Sequence, residues 1–382
     1  MMGHDVLEFA MHHPNNLPSD YVDYFVPYVE YRQEENGKSR QGYTEKLRIA
    51  KNFVFNRQAV KQLNRLVKKK KPDIAHLHNI YHQITPAIIS LLKKSGIKTI
   101  LSLHDYKLLC PVYNMLQHGK ICRKCQGSKF WHVVSGRCES RSVGRSMLLA
   151  VEAYWHYWAR SYEGIDLFLA PSKFMATMMA RYRLPPSKIR VLPNGVDCEQ
   201  VVPSIGDGHY ALFVGRISRE KGVALLLEAF QQLGWPVPLK VVGVGPLFEQ
   251  YRKQYPQVEF AGYQTGKELE KIFRQASFVI VPSSWYENCS MVVLEAMVHG
   301  KPVIGSRIGG IPEQIEDQVT GLLFTCGDLR ELMEKINLLV KNNDLRRQLG
   351  LRARKKVERE YSFANHCRQL MAIYHHVHSV TT

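Results

Sequence analysis

Residues 278–306 read FVIVPSSWYENCSMVVLEAMVHGKPVIGS. The segment opens on an apolar run, FVIV, and closes on a second, PVIGS, each short, rich in β-branched residues and bounded by Pro or Gly. Near-continuous apolar runs of that length read as strands covered on both faces. Between them a polar loop, SSWYENCS, leads into a helix over residues 290–299, whose valines and leucine read as core. Two glutamates bracket this apolar run: Glu287 on the loop and Glu295 on the helix flank, with seven residues between them.

The same alternation extends outward in both directions. Toward the C-terminus it ends on GLLF and a helix near 328–341; toward the hinge it passes VEFAGY, LKVVGVG and ALFVGR, with helices near 221–233, 246–254 and 265–275. A second run fills the first half, with strand candidates HDVLEFAM, VDYFVP, DIAHLH, KTILSLHD and DLFLAPS, and helices at 44–70, 84–95, 145–161 and 172–182. Strand–helix alternation of this kind implies parallel sheets covered by helices, and two runs imply two doubly wound α/β domains facing each other. Pro, Gly and Asn concentrate in RLPPSKIRVLPNGVD, placing the hinge near 183–197. The expected organisation is therefore a first domain over 1–185, a second over 186–362, and a last helix in 363–382 that either continues the second domain or crosses back to the first. No repeat of solenoid period is present.

Composition narrows the function. With 382 residues, 45% hydrophobic and 23% charged, the chain suits a soluble protein of two ordinary domains. It has no run of eighteen apolar residues, and its start, MMGHDVLEFAMHHPNN, lacks the basic and apolar regions of a secretory leader, so a cytoplasmic protein is expected. The net charge of +18 is uneven: residues 1–185 carry 28 Lys and Arg against 14 Asp and Glu, residues 186–382 carry 24 against 20. A basic first half suits a phospholipid surface, a phosphorylated ligand or nucleic acid, or is simply a solvated face. Nucleic acid is the poorest fit, because helix-turn-helix, finger and aromatic-stacking signatures are missing.

Three segments of the second half gather at strand ends. FVGRISREKG carries Gly215 and Arg216 after a strand and delivers Lys221 to a helix start; VVGVGP puts glycines after a strand; the opening segment runs from strand through loop into helix. Ligands of open α/β sheets bind outside the carboxyl ends of the strands, where glycine turns and helix N-termini accept anions. With Arg216 and Lys221 on the same rim, the chemistry is that of a diphosphate site.

The order of VLPNGVD, FVGRISREKG and ENCSMVVLEAMVHGKPVI resembles the GT-B glycosyltransferases, specifically family 4, which are retaining and use nucleotide sugars; the resemblance covers roughly residues 4–375. It implies that Glu287 is the first glutamate of an E-x7-E motif and contacts hydroxyls of the transferred sugar, while Glu295 accepts hydrogen bonds from the ribose diol. Arg216 and Lys221 would bind the diphosphate and stabilise it as it leaves, and Gly215, Asn288, Cys289, Ser290 and Met291 would line the donor, with backbone N–H groups near Cys289–Met291 facing phosphate. His104, at the end of the strand in TILSLHDYKLLCP, would face the donor across the cleft; Asp105 would orient His104 or cap the following turn. No cofactor and no catalytic metal is required. The implied reaction moves a hexose from a nucleoside-diphosphate sugar to a lipid-linked glycan of the cell surface, as in polysaccharide or lipopolysaccharide biosynthesis. No carboxylate stands out as a nucleophile, which favours front-side displacement with the leaving phosphate accepting the acceptor's proton. A GT-B epimerase or phosphorylase and a catalytically silent relative are the alternatives. The family normally begins with a strand, a glycine-rich turn and a helix ahead of the sequence seen here as GHDV, so the first strand of the N-terminal domain is expected to be missing and a seam to open in its sheet.

Two features lie outside that frame. Cys110, Cys122, Cys125 and Cys138 follow the spacing C-x11-C-x2-C-x12-C within a long loop at 106–144, which fits a structural zinc site, reduced thiols, or two disulfides in an oxidising compartment. The helical window ending in Lys68–Lys71 has apolar positions at Leu47, Ala50, Phe53, Val54, Val60, Leu63 and Leu66, which suit a helix on a sheet face; its basic side suits the anionic inner leaflet of the plasma membrane.

Overall fold

The computed structural model describes residues 3–29, 43–206 and 208–379, with the side chains of 43–47 also outside the description, Leu47 among them. Its two halves are built on separate parallel sheets. The first half contributes helices α1 (Tyr43–Val54) and α2 (Arg57–Lys70), strand β1 (Ile74–His78), α3 (Ala87–Lys94), β2 (Lys98–Ser102), a short hairpin β3 (Leu116–Gln117) and β4 (Lys120–Ile121), then α4 (His132–Ser135), α5 (Val143–Trp158), β5 (Leu167–Ala170), α6 (Lys173–Tyr182) and β6 (Ile189–Val191). Its sheet runs β1-β2-β5-β6.

The second half alternates strictly: β7 (Tyr210–Val214), α7 (Val223–Gln232), β8 (Leu239–Val242), α8 (Phe248–Gln254), β9 (Glu259–Gly262), α9 (Gly266–Gln275), β10 (Ala276–Val281), α10 (Met291–Val298), β11 (Val303–Ser306), α11 (Ile311–Gln314), β12 (Gly321–Phe324), and then α12 (Leu329–Lys341), α13 (Asn343–Tyr361) and α14 (Phe363–Ser379). Its six parallel strands run β12-β11-β10-β7-β8-β9. The strand order reverses between β7 and β10, the place where doubly wound sheets open a crevice for a ligand. All six residues of β10 are buried. On α10, Val293, Leu294, Ala296 and Met297 are fully buried, which locks this helix to the sheet. Val292 is half-buried and Met291, at 38% exposure, is not core but looks outward at the helix start.

Three departures from the sequence reading have physical causes. The segments 4–11 and 22–27, expected as strands, make only one parallel bridge, Met11 to Val26. The described strands β1-β2-β5-β6 pair in unbroken order, so the expected seam does not open among them; β1 is left as an edge, and neither segment pairs with it. The expected helix over 44–70 is two: Asn56 ends the first and caps α2, its Oδ1 accepting the Ala59 N–H at 3.0 Å and its Nδ2 donating to the Gln83 carbonyl at 2.6 Å. Asparagine competes for backbone groups in this way at helix starts. The long α13 was not foreseen, because charged residues crowd its sequence NDLRRQLGLRARKKVEREY and dilute the apolar stripe of Leu349, Ala353 and Val357. From the end of α13 the chain turns at Ser362, and α14 lies on the first sheet, where Val377 joins Ile100, Leu167, Leu169 and Leu192 and the Tyr374 hydroxyl meets His76 Nδ1 at 2.7 Å.

Candidate active site

Glu287 sits on the loop after β10 and is 7% exposed. A carboxylate so buried needs partners. Its Oε1 accepts from Lys221 Nζ at 2.6 Å, Ser283 Oγ at 2.7 Å and Trp285 Nε1 at 2.8 Å, while Oε2 has no hydrogen-bond partner among the described residues. Lys221 also lies over the Trp285 ring at 5.1 Å. It arrives on the turn after β7, and that turn presses so closely on β10 that Gly222, at φ +74°, would put a Cβ 1.8 Å from the Pro282 carbonyl oxygen. On the other side of Glu287, Gly310 donates its N–H to the Glu287 carbonyl at 2.7 Å, and a Cβ on Gly309 would fall 2.3 Å from that oxygen. Sequence reasoning assigned Lys221 to the diphosphate alone; here it is first of all the counter-ion of Glu287. Arg216, exposed beside it, has no ion-pair partner among the described residues.

Helix α10 starts at Ser290, but not as an open anion cradle. The Ser290 N–H donates to Gln314 Oε1 at 2.9 Å, and Gln314 Nε2 returns a bond to the Ser290 carbonyl at 2.9 Å. The expectation that the N–H groups near Cys289–Met291 face phosphate is therefore corrected at Ser290, whose donor is occupied. Cys289 is half-buried, and burial pushes its thiol up to about 11. One turn on, Glu295 is half-buried and its carboxylate has no hydrogen-bond or ion-pair partner among the described residues; burial raises its pKa. It borders a cavity of about 350 Å³ with Asp197, Glu270, Leu269 and Met291. Three carboxylates around one cavity repel phosphate and suit a ligand part that offers hydroxyl or N–H donors.

The first half brings His104 to the same place. The Asn288 side chain donates from Nδ2 to the His104 carbonyl at 2.5 Å, joining the loop after β2 to the loop after β10. The His104 ring, exposed at the strand end, meets His78 at the end of β1, with Nε2 and Nδ1 2.8 Å apart and the rings stacked at 5.1 Å. Burial, and then the neighbouring His104, push His78 down to about 4, and burial lowers His104. The pair thus shares one hydrogen bond between neutral rings at neutral pH. Asp105 accepts from the Lys107 N–H at 2.8 Å and the Tyr81 hydroxyl at 3.1 Å, so it caps the turn rather than orienting His104.

Other residues of the site went unseen in the sequence. Glu313 ties the halves together, accepting the Lys173 and Phe174 N–H groups at the start of α6 at 2.8 and 2.6 Å. Arg123 Nε donates to the Tyr286 hydroxyl at 2.9 Å, one residue from Glu287. Lys107 and Glu152 form a buried ion pair at 2.7 Å beneath the His104 loop. A glycine pair followed three residues later by Glu313 was the one local hint, since side-by-side glycines mark a close approach of backbones.

Two doubly wound domains, with the sites of both facing one cleft at the carboxyl ends of their strands, define a GT-B fold. Residues 1–200 match the family model described as Glycosyltransferase Family 4, and residues 199–356 match the one described as Glycosyl transferases group 1. The chain belongs to glycosyltransferase family 4. Among solved structures, sucrose-phosphate synthase from Thermosynechococcus elongatus is similar at TM-score 0.68 and 19% identity over 98% of this chain and 89% of that one. Anabaena HepE in complex with UDP is similar at TM-score 0.60 and 18% identity over 82% of this chain and 81% of that one; at such identities the likeness is one of fold. The lipopolysaccharide 1,2-N-acetylglucosaminetransferase of Salmonella typhimurium is 30% identical over 52% of this chain and 58% of its own length. The matched region spans about half the length of the curated relatives, from 44% to 64% of the first four. Among the described residues no helix is long and apolar enough to cross a membrane.

Proposed function

We propose that this chain transfers a hexose from a nucleoside-diphosphate sugar, with retention of configuration, to a lipid-linked glycan of the cell surface. The observation that carries this reading is the pairing of Glu287 with Lys221 at the β7/β10 switch point, with Arg216 on the turn after β7 and Glu295 on α10 both left without an ion-pair partner among the described residues. Glu287 Oε2 is left to accept a sugar hydroxyl, and Glu295 is left to accept the ribose diol. Arg216 and Lys221 meet the negative charge that builds on the leaving diphosphate, without reorganisation at the moment of reaction. His104, neutral and pinned by His78 and Asn288, hydrogen-bonds the donor from the acceptor side. The departing phosphate accepts the proton of the acceptor hydroxyl as the new bond forms on the same face. Support for the donor class comes from the HepE complex, which holds UDP, and support for the acceptor class from the lipopolysaccharide transferase.

A lipid-borne acceptor also suits the surface of the first half. Helix α5 exposes Met147, Val151, Trp155 and Trp158 at 49%, 50%, 49% and 72%, and Trp131 stands beside them at 54%. Arg137, Arg141 and Arg145 are exposed at its start, and no Asp or Glu between 106 and 162 is exposed. Tryptophan with basic neighbours is the chemistry of an anionic bilayer interface. Lys68–Lys71 at the end of α2 add to the same charge. A thermal-shift screen against UDP- and GDP-hexoses, followed by product analysis with a lipid-linked glycan, tests the proposal. Stabilisation by one sugar nucleotide and an α- or β-linked product matching the donor's own anomer are expected. An inverted product, or a glycosyl–enzyme adduct trapped for mass spectrometry, would overturn retention by front-side displacement.

A further inference from the structure

The segment between β2 and α5 contains little regular structure: the two-residue strands of the β3–β4 hairpin, a 3-10 turn at Gln126–Ser128 and the single turn of α4. It is nevertheless well packed, with Leu109, Cys110, Met115, Cys125, Phe130 and Val133 all buried. Its backbone is also unusually constrained: of the thirteen non-glycine residues with positive φ among the described residues, seven fall between Tyr113 and Arg141. Each such residue costs free energy unless its surroundings fix it, and no helix or sheet there is large enough to do so.

Four cysteines converge inside this segment. Cys110, Cys122, Cys125 and Cys138 all border one small cavity of about 10 Å³, with His132 at its side. None is in a disulfide. Cys122 follows directly on the hairpin, its N–H donating to the Met115 carbonyl at 2.8 Å, and the chain then turns over Arg123–Gln126, closed by the Gln126 N–H on the Arg123 carbonyl at 3.1 Å. A hairpin running into C-x2-C presents two thiols from one turn, and Cys110 and Cys138 reach the same cavity from the two ends of the segment.

We propose that Cys110, Cys122, Cys125 and Cys138 form a structural tetrathiolate site for a zinc ion, and that this centre sets Arg123 against Tyr286 of the donor loop. Among the described residues no three potential ligands already stand at bonding geometry, so binding requires the thiols to turn inward by rotation between staggered χ1 wells. Binding follows Zn²⁺ + 4 RSH → [Zn(SR)₄]²⁻ + 4 H⁺. The resulting double negative charge is offset locally by Arg123 and Lys124, both within the C-x2-C turn. Because four protons leave as the ion binds, affinity falls as pH is lowered. The arrangement links metal to ligand site through one residue: Arg123 lies between two ligands and bonds the hydroxyl of the residue that precedes Glu287.

The full chain, purified without chelator, should carry about one zinc per molecule by elemental mass spectrometry. Zinc should leave as a mercurial titrates the thiols, and cobalt(II) exchanged into the site should give the charge-transfer and ligand-field bands of a tetrahedral tetrathiolate. A variant with all four cysteines changed to serine should retain no zinc, whereas Cys326→Ser with Cys367→Ser should retain it fully. Less than about a tenth of an equivalent of zinc, disulfides among the four cysteines, or cobalt bands lacking thiolate character would overturn the proposal. These readings come from the wild-type chain and stand even where the serine variant fails to fold.

Discussion

At the scale of single residues the account turns on which charges have partners. Glu287 spends one oxygen on three donors and leaves the other free, whereas Glu295 has none and Arg216 has none among the described residues. A ligand with hydroxyls at one end and a diphosphate in the middle fits that pattern. His78 supplies a second residue-level test. Held down to about 4 by burial and by His104, it should titrate well below the ordinary histidine value of about 6.5. NMR titration of histidine-labelled protein reads this directly, and a His78 resonance titrating near 6.5 would contradict the stacked, neutral pair. Glu287, Glu295, Arg216 and Lys221 were legible as candidates because strand ends, glycines and charges are local signals. Their partners were not: Gln314 reaches Ser290 across 24 residues, and Arg123 reaches Tyr286 across 163. No periodicity encodes such contacts.

At the scale of elements, α10 is fixed twice, by apolar residues on the sheet and by the Gln314 amide at its first turn. Gln314→Leu should strand the buried N–H of Ser290, whose carbonyl keeps the Leu294 N–H, and cost about 1–3 kcal/mol in urea denaturation; a change within error would show that the amide does not hold the helix. Lys107→Met should cost more, about 3–5 kcal/mol, because it leaves the 1%-exposed Glu152 carboxylate without its counter-ion. Changing both residues, Lys107→Met with Glu152→Leu, should recover part of that loss, and failure to recover would mean the packing rather than the charge is at stake. The sequence predicted β7 to β12 and most of their helices because each strand is a dense apolar run punctuated by Gly or Pro. It misread 4–11 and 22–27, which meet each other at a single bridge and join neither described sheet. It missed α13 because that helix buries a narrow stripe under many charges.

The whole molecule adds a dependence on pH. Burial holds His76 down to about 3 and both His156 and His299 down to about 4. These rings stay neutral in the folded chain while the unfolded chain protonates them below about 6.5, so between those values the unfolded state binds more protons. Stability therefore rises with pH through this window and is lost as pH falls. The melting temperature should drop steadily between about pH 6.5 and 4.5, with a shallower slope in His156→Gln and His299→Gln; an unchanged slope in both would contradict the assignment. The +18 charge, concentrated in the first half, belongs to the same scale. Vesicle binding should require anionic lipid, weaken with salt and fall in a Trp155→Ser, Trp158→Ser variant, since each basic residue near an anionic surface contributes about 1 kcal/mol. Binding indifferent to lipid charge and salt would remove the membrane from the account.

The central claim is that Glu287 and Glu295 read two ends of one nucleotide sugar. Isothermal titration of the preferred sugar nucleotide and of the free nucleotide, against wild type and Glu287→Gln, measures it most directly. The substitution should weaken the sugar nucleotide about tenfold or more, the loss of a charged hydrogen bond of roughly 1.5–3 kcal/mol, while the free nucleotide keeps its affinity. Equal loss for both ligands would contradict the claim.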